Sequence, residues 1–304
     1  MGKPALITLD GADGIRRILS GPGMGDRGVE LATSPAGFYN TPTEAIYTEH
    51  AFERGSTYNG MRITSMQPVF SVNIFGSPGQ SWEEADDEWS TALAINQDAT
   101  LWYEGDSSRR RLTIRLMQEM QFTPVNDPRL GQYGKVTMTC IAPDPFWYET
   151  SEFDKWTSEI DTTNGTTAYG SVTVQNPTPY PTWVKWRLQA GPNPGTKWTL
   201  PDFSWGNKIH RRAVEDADRV IHMPELLGNE HVDIETDENS KRPQVVSPLD
   251  TQIYMRMEGK TFMYPIAPRT PPTEVPVAVT GAPAGVGLRV ECPLPWPKPW
   301  GMRR

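Results

Sequence analysis

Four carboxylates lie close together in the sequence, at Asp233, Glu235, Asp237 and Glu238. Oxygen ligands at alternate positions are typical of calcium sites, and two carboxylates across a cleft are typical of glycosidases. A calcium loop also needs a glycine at its turn, and this stretch has none. Ile234 lies between two of the acids, as an inward residue does in a β-strand. The pattern therefore predicts a solvated strand face that runs into a turn.

Three tryptophans in the second half of the chain have the chemistry to stack on sugar rings: Trp183, Trp198 and Trp205. The segments around them, "NPTPYP" and "TLPDFSWG", are more typical of core and loop packing. A carbohydrate-binding β-sandwich protein, or a glycosidase that acts on a cell surface, therefore stays open as an alternative function. Fold analogy to sugar-binding proteins does not settle this question.

Few residues suit a catalytic centre. The histidines have no H-x-x-x-H spacing for zinc, and they are His50, His210, His222 and His231. The sequence contains no G-x-S-x-G turn, phosphate-binding P-loop or dinucleotide fingerprint. Cys140 and Cys292 lie far apart, so both are predicted to be reduced core residues. We therefore expect no enzyme activity, no metal and no cofactor.

The length and composition predict two mostly-β domains. With 304 residues the chain exceeds the usual single domain, so we expect domains at about 1–150 and 151–304. It contains 26 glycines and 29 prolines, and aromatic residues make up 10% of it, which favours short strands joined by turns. No secretory signal core is visible in "MGKPALITLD", and no apolar run is long enough to span a membrane.

The negative charge is concentrated in the first half. Residues 1–150 carry 12 Lys/Arg against 19 Asp/Glu, whereas residues 151–304 carry 17 against 18. A protein that grips nucleic acid needs clustered cations to neutralise phosphates, so specific nucleic-acid binding is not expected. The one basic cluster, Arg109 to Arg111, follows the turn signal "GDSS" and is interpreted as a solvated strand end.

Local patterns place several elements in the first half. "PALITLDG" and "IRRILSG" predict a strand and its return, whereas residues 28–75 are mostly turn signals around one strand, "MQPVFSVNIFG". Residues 81–96 predict an amphipathic helix, because Ser81 and Glu84 form a capping box. "TLWYEGDSSRRRLTIRLMQEM" predicts a hairpin with Leu112, Ile114 and Leu116 on one face.

Two loops in the first half stand out. Residues 121–134, "QFTPVNDPRLGQYG", are too long for a tight hairpin and predict an exposed excursion that docks on a neighbour. In "CIAPDPFWYET", residues 140–150, Pro143 and Pro145 end a strand, and three aromatics follow. Phe146, Trp147 and Tyr148 are predicted to anchor the junction between the two domains. A plain domain seal and a partner-binding patch stay open as interpretations of this stretch.

The second half predicts a β-sandwich. Val184, Trp186 and Leu188 share one face of a strand, and four further alternating segments follow between turn signals. They are "HVDIETD", "TQIYMRM", "VPVAVTG" and "GLRVECP". We expect a jelly-roll or galectin-like arrangement.

Three segments carry a family resemblance. They are "VTMTCIAPDPFWYE" with its motif Pro143-Asp144-Pro145-Phe146-Trp147-Tyr148, "GNEHVDIETDENSKRPQV" at 228–245, and "TFMYPIAPRTPPTEVPVAVTGAPAGVGLRVECPLPW" at 261–296. In this order they resemble the distal tail proteins, or minor tail proteins, of long-tailed siphovirus bacteriophages. The tail "PWPKPWGMRR" departs from the shorter ends of many relatives.

The resemblance implies a structural virion protein at the distal end of the tail, assembled in the cytoplasm of the bacterial host. The first domain would be a β-barrel or sandwich that forms a homo-hexameric ring, through which DNA passes. The second would be a galectin-like sandwich that projects outward. The implied partners are the tail tube protein, the tape measure protein and the hub and other minor tail proteins of the tail tip. The excursion suggests ring contacts at Pro124, Asn126, Pro128 and Tyr133.

Overall fold

The computed structural model describes residues 4–52, 54–238 and 240–302. The chain forms two compact units: unit 1 runs to Glu149 and also contains Trp296–Met302, and unit 2 is Thr150–Pro295. Strands far outnumber helices, so the predicted mostly-β class is confirmed. The Pro/Trp-rich segment 296–302, which we expected to belong to the second domain, lies in unit 1 instead.

Unit 1 is a curled antiparallel sheet with one helix of more than a single turn among the residues described. Its elements are β1 (Leu6–Asp10), β2 (Arg16–Ser20), β3 (Val29–Leu31), β4 (Thr43–Thr48), β5 (Thr57–Ile63), β6 (Val69–Phe75), α1 (Trp82–Ser90), β7 (Ala99–Glu104), β8 (Arg109–Leu116), β9 (Gln121–Phe122), α2 (Pro128–Gly131), β10 (Tyr133–Ile141) and β11 (Trp147–Tyr148). The main sheet has the order β2-β1-β7-β8-β10-β6-β3. Because the outer strands β2 and β3 also contact each other, the sheet is a nearly closed barrel.

Helix α1 begins where its capping box predicts. The Glu84 backbone N–H donates to the Ser81 hydroxyl at 3.2 Å, and the Ser81 N–H donates to the Glu84 carboxylate at 2.7 Å. The second bond also holds the pKa of Glu84 below its usual value. The helix ends at Ser90, although the pattern predicts residue 96. Beyond its end the Ala92 carbonyl, which would accept the Asn96 N–H in a longer helix, accepts the Ala12 N–H of the β1–β2 turn instead, and the Ala94 carbonyl accepts the Leu116 N–H of β8.

Unit 2 is a β-sandwich. Its elements are β12 (Glu152–Thr157), β13 (Thr167–Asn176), β14 (Lys185–Leu188), β15 (Lys197–Pro201), β16 (Val220–His222), β17 (Val232–Glu235), β18 (Val245–Val246), α3 (Ile253–Arg256), β19 (Thr270–Thr280) and β20 (Gly287–Cys292). A last short strand, β21 (Pro295–Trp296), follows β20 and pairs with β11 of unit 1. The sheets have the orders β12-β20-β14-β17-β18 and β13-β19-β15-β16. Both contribute to one buried core, and the alternation that predicted inward Val184, Trp186 and Leu188 is confirmed.

Both cysteines are free and buried. Burial raises the pKa of the Cys140 thiol to about 12 and that of Cys292 to about 11. Each thiol therefore stays protonated at neutral pH and packs as a small apolar side chain. None of the helices in the described ranges is long and apolar enough to cross a membrane.

Candidate assembly interface

An exposed hairpin in unit 1 lies outside the main sheet. Among the residues that the structure describes, strands β4 and β5 pair only with each other, and we call residues 43–52 and 54–63 the arm. Its exposed large apolar side chains are Ile46, Tyr47, Phe52, Tyr58 and Met61. A two-stranded hairpin is marginal alone in water, and the edge of a β-strand is a template for pairing with another chain. The arm therefore has the properties of a docking element.

The turn-rich interpretation of residues 28–75 was wrong for the arm. The short alternating segments "TEAIYT" and "TYNGMRI" carry a strand signal that a reader of the sequence could have found. Turn signals in "RGSTYNG" obscured it, and neither strand has a buried face to strengthen the pattern. Tyr47 and Tyr58 contact each other across the hairpin, with ring centroids 5.7 Å apart.

The excursion at residues 121–134 combines β9, a short loop and α2. Val125 and Leu130 are 96% and 87% exposed, which is unusual for apolar side chains without a partner surface. The Asp127 carboxylate accepts the Arg129 N–H at 3.0 Å and starts the single turn of α2. Of the four residues predicted as ring contacts, Pro124, Asn126 and Tyr133 are exposed and Pro128 is half-buried. Their role in a ring stays a prediction.

The aromatic motif lies largely inside unit 1. Trp147 is fully buried, and its indole N–H donates to the Phe38 carbonyl at 2.8 Å. The Tyr148 hydroxyl donates to Asp144 at 2.8 Å, and the Pro145 carbonyl accepts the Thr41 hydroxyl at 2.9 Å. Pro143 and Asp144 are exposed, Pro145 is buried, and Phe146 and Tyr148 are half-buried. The three aromatics as a seal between two domains stay a prediction.

Residues 296–302 return to unit 1 and complete it; we call them the clasp. Strand β21 pairs with β11, and the Thr41 N–H donates to the Pro297 carbonyl at 2.9 Å. Trp300 packs against Tyr39 and Tyr103, with ring centroids 5.3 and 5.2 Å away. Burial raises the pKa of both tyrosines, so both phenols stay neutral beside the ring. The clasp thus packs on unit 1, with Trp296 buried in its core and Trp300 still 41% exposed.

Arg110 holds the clasp in place. Its guanidinium donates to the carbonyls of Lys298 and Gly301, each at 2.7 Å, and to the Glu149 carboxylate at 3.3 Å. It also lies over the Trp296 ring, 4.2 Å from the centroid, and the Trp296 indole N–H donates to Glu149 at 3.2 Å. One cation thereby joins three distant parts of the chain.

The interpretation of Arg109 to Arg111 as a solvated strand end was wrong for Arg110. Its side chain has 0% exposure, whereas that of Arg109 is 51% exposed and pairs with Glu104. Alternation along β8 places Arg110 on the same face as the buried Leu112. This alternation could have predicted from the sequence that Arg110 points inward. A buried arginine also needs polar partners, and those of Arg110 lie far along the chain, at residues 149 and 296–301.

The acidic stretch at 233–238 is a strand face, as expected. Asp233 pairs with Arg187 at 3.3 Å and Glu235 with Lys185 at 2.6 Å, while Ile234 is buried between them. Over the described ranges no three His, Cys, Asp or Glu side chains lie close enough together to hold a metal ion.

The three tryptophans considered for sugar stacking do not form one platform. Trp198 is fully buried, and its indole N–H donates to the Gln189 carbonyl at 2.9 Å, so its ring has no free face. Trp183 and Trp205 are half-buried, and Trp205 packs against Phe203. Trp198 is therefore a core residue, as its sequence context favours, and it does not suit the alternative role of sugar stacking, because a stacking residue must present a face to solvent.

No protein-family model matches this chain. Minor tail protein Gp27 of Mycobacterium phage D29 is 29% identical to this chain over an alignment of 335 positions, and the alignment covers 98% of this chain and 98% of the relative. The resemblance to minor tail proteins that the three segments predicted is thereby confirmed.

Two solved structures share the fold. The SPP1 Dit (gp 19.1) protein, described as a paradigm of hub adsorption apparatus in phages that infect Gram-positive bacteria, matches with a TM-score of 0.60. The match covers 95% of this chain and 98% of that one at 11% identity. A chain of the phage P2 baseplate matches with a TM-score of 0.53 at 12% identity, covering 97% and 98%. Both units therefore adopt an architecture found in phage tail hubs and baseplates.

Proposed function

We propose that this protein is a structural component of the tail tip of a long-tailed bacteriophage, where it joins the tail tube to the tip or baseplate hub. The observation that carries the proposal is similarity to a minor tail protein over 98% of both chains. The shared hub and baseplate fold supports it. Such a role uses shape and contacts rather than turnover. The proposed location is the distal end of the tail in the virion, after assembly in the host cytoplasm.

Unit 1 is proposed to form a homo-hexameric ring by head-to-tail contacts. A head-to-tail contact joins two different surfaces of the same chain, and a ring results when the rotation closes. The exposed arm and the exposed excursion supply two such surfaces in unit 1. Pro124, Asn126, Pro128 and Tyr133 belong to the second surface. The tail tube protein, the tape measure protein and hub proteins of the tip are the proposed neighbours of this ring.

A substitution in the arm is expected to impair assembly while leaving the chain folded. Tyr58 is 57% exposed and its ring contacts Tyr47 across the hairpin, so Tyr58→Asp is expected to lower the free energy of unfolding by about 1 kcal/mol. In a docked arm the new carboxylate would be buried without a partner, which costs several kcal/mol. We expect the copy number at the tail end of assembled particles to fall at least about tenfold.

The matched control is Tyr169→Asp, which changes an 80% exposed tyrosine in unit 2. Copy number is measured by cryo-electron microscopy of particles assembled with each variant. Equal incorporation of the two variants would refute docking through the arm. Density for a single copy at the tail end of unaltered particles would refute the ring itself.

The negative charge of unit 1 predicts that the lumen of the proposed ring does not bind DNA. Residues 1–150 carry a net charge of −7, and the clasp adds a single lysine, Lys298. Because affinity for DNA comes mainly from neutralised phosphates, we expect the full chain to bind duplex DNA more weakly than about 10⁻⁴ M at physiological salt. Fluorescence anisotropy with a labelled duplex measures this. Micromolar binding that weakens steeply with salt would contradict an acidic or neutral lumen.

A further inference from the structure

A row of three cations crosses the solvent face of the five-stranded sheet in unit 2. Lys155 of β12 lies opposite Arg289 of β20, and Arg289 lies opposite Arg187 of β14. Neighbouring strands are about 4.8 Å apart, and like charges directly opposite each other destabilise a sheet. The sandwich core is built from the opposite, buried face of the sheet, so core packing does not require particular side chains at these outward positions. Packing therefore does not explain the row, and the contacts of Arg187 with Asp233 and of Arg289 with Glu291 offset part of its charge.

Beside the row the sheet surface forms a groove of about 200 Å³. Its walls are β14, β17, β20 and the segment 242–246. The charged side chains that line it are four cations and three carboxylates: Lys185, Arg187, Arg242, Arg289, Asp233, Glu235 and Glu291. The groove thus combines an excess of one positive charge with several hydrogen-bond acceptors.

Arg289 is held in a fixed orientation at this groove. Its guanidinium lies over the Phe153 ring, 4.2 Å from the centroid, and its Nε is buried without a hydrogen-bond partner. Its contact with Glu291 is long, at 3.8 Å. Because a guanidinium has five donors in a planar fork, most of the donors of Arg289 stay available for a carboxylate or a phosphate. Ordering it beforehand lowers the entropy that a ligand must overcome.

The dimensions and the mixed charge decide the class of ligand. A volume of about 200 Å³ lies below the range for drug-sized ligands. That space suits one sugar unit, whereas a protein partner needs an interface of about 1,000 Å². A uniformly anionic polymer would be repelled by Asp233, Glu235 and Glu291.

We propose that this groove binds an acidic sugar, a hexose that carries a carboxylate or a phosphate. Arg187 and Arg289 lie opposite each other, so an acid group between them accepts hydrogen bonds from both guanidinium groups. The carboxylates of Asp233 and Glu235 then accept hydrogen bonds from the hydroxyls of the sugar ring. The proposal concerns unit 2 alone and does not depend on ring formation by unit 1.

The test is calorimetric titration of the full chain with glucuronate, glucose 6-phosphate, glucose and inorganic phosphate. We expect both acidic sugars to bind at least about tenfold more tightly than glucose or phosphate, because charge-assisted hydrogen bonds add to those of the hydroxyls. Arg187→Gln and Arg289→Gln are each expected to weaken that binding about tenfold or more. Arg109→Gln is the matched control, since Arg109 also lies over an aromatic ring, that of Trp102, and pairs with a glutamate.

Equal binding by the Arg289→Gln and Arg109→Gln variants would overturn the site. Equal affinity for glucose 6-phosphate and inorganic phosphate would overturn sugar recognition, and so would equal affinity for glucuronate and glucose. Tighter binding of an acidic peptide than of either acidic sugar would assign the groove to a protein partner and refute the proposal. The melting temperature of each variant is measured alongside, and we expect little change because both arginines are partly exposed.

Discussion

Replacing Arg110 by methionine is expected to lower the free energy of unfolding of unit 1 by about 3 to 5 kcal/mol. The side chain is fully buried, so its removal leaves the Glu149 carboxylate in the core without its cation. The carbonyls of Lys298 and Gly301 lose their guanidinium donors at the same time. Urea unfolding followed by tryptophan fluorescence measures the loss, because Trp147 and Trp296 are both buried in this region.

Two further variants make the Arg110 prediction specific. Arg109→Met removes the neighbouring cation, whose ion pair with Glu104 is half exposed, and we expect an effect below about 1 kcal/mol. The double change Arg110→Met with Glu149→Leu removes both buried charges and is expected to recover much of the stability. Equal stability of the Arg110→Met and Arg109→Met proteins would contradict the clasp as a structural part of unit 1.

Truncating Trp147 to alanine is expected to destabilise unit 1 by about 3 to 5 kcal/mol. The indole has 0% exposure and contacts the rings of Phe38 and Tyr103, so its loss opens a cavity in the core. The Phe38 carbonyl also loses its donor. Differential scanning calorimetry of the full chain measures the change as a lower melting temperature of the unit 1 transition.

Trp147→Phe keeps an aromatic ring at this position and is expected to cost clearly less than alanine. Small-angle scattering curves of the Trp147→Ala variant and of the unaltered chain are then compared. This comparison tests the predicted domain seal separately from stability. An alanine variant with unchanged melting temperature, domain orientation and tail assembly would show that the ring is dispensable. An altered melting temperature with unchanged scattering would restrict Trp147 to the core of unit 1.

Patterns within about ten residues could be recognised in the sequence. Ser81 and Glu84 predicted the start of α1, and alternation predicted the inward faces of β8 and β14. The carboxyl end of α1 could not be predicted, because the Ala92 carbonyl, which would continue the helix, accepts the Ala12 N–H from a distant turn instead. Hydrogen bonds to distant parts of the chain override the local helix propensity at this point.

The parts of the candidate interface that sequence reasoning missed depend on long-range partners or on their absence. Arg110 is buried because Glu149 and the clasp surround it, and no local pattern shows residues that far apart meeting. The arm was missed for the opposite reason. Its strands have no buried face in this chain, and the alternation that signals a strand is weak when both faces are exposed.

The position of the clasp in the sequence also determines when unit 1 can be completed during protein synthesis. Unit 1 begins at the amino-terminal end, yet its last segment is translated only after the roughly 150 residues of unit 2. At about 5–20 residues per second the ribosome takes roughly 7 to 30 seconds over that interval. During this time Arg110 lacks its acceptors on Lys298 and Gly301, so unit 1 of the nascent chain is incomplete. A chain cut short within unit 2 would therefore lack the clasp, and its unit 1 would stay incomplete although every other segment of that unit had been made.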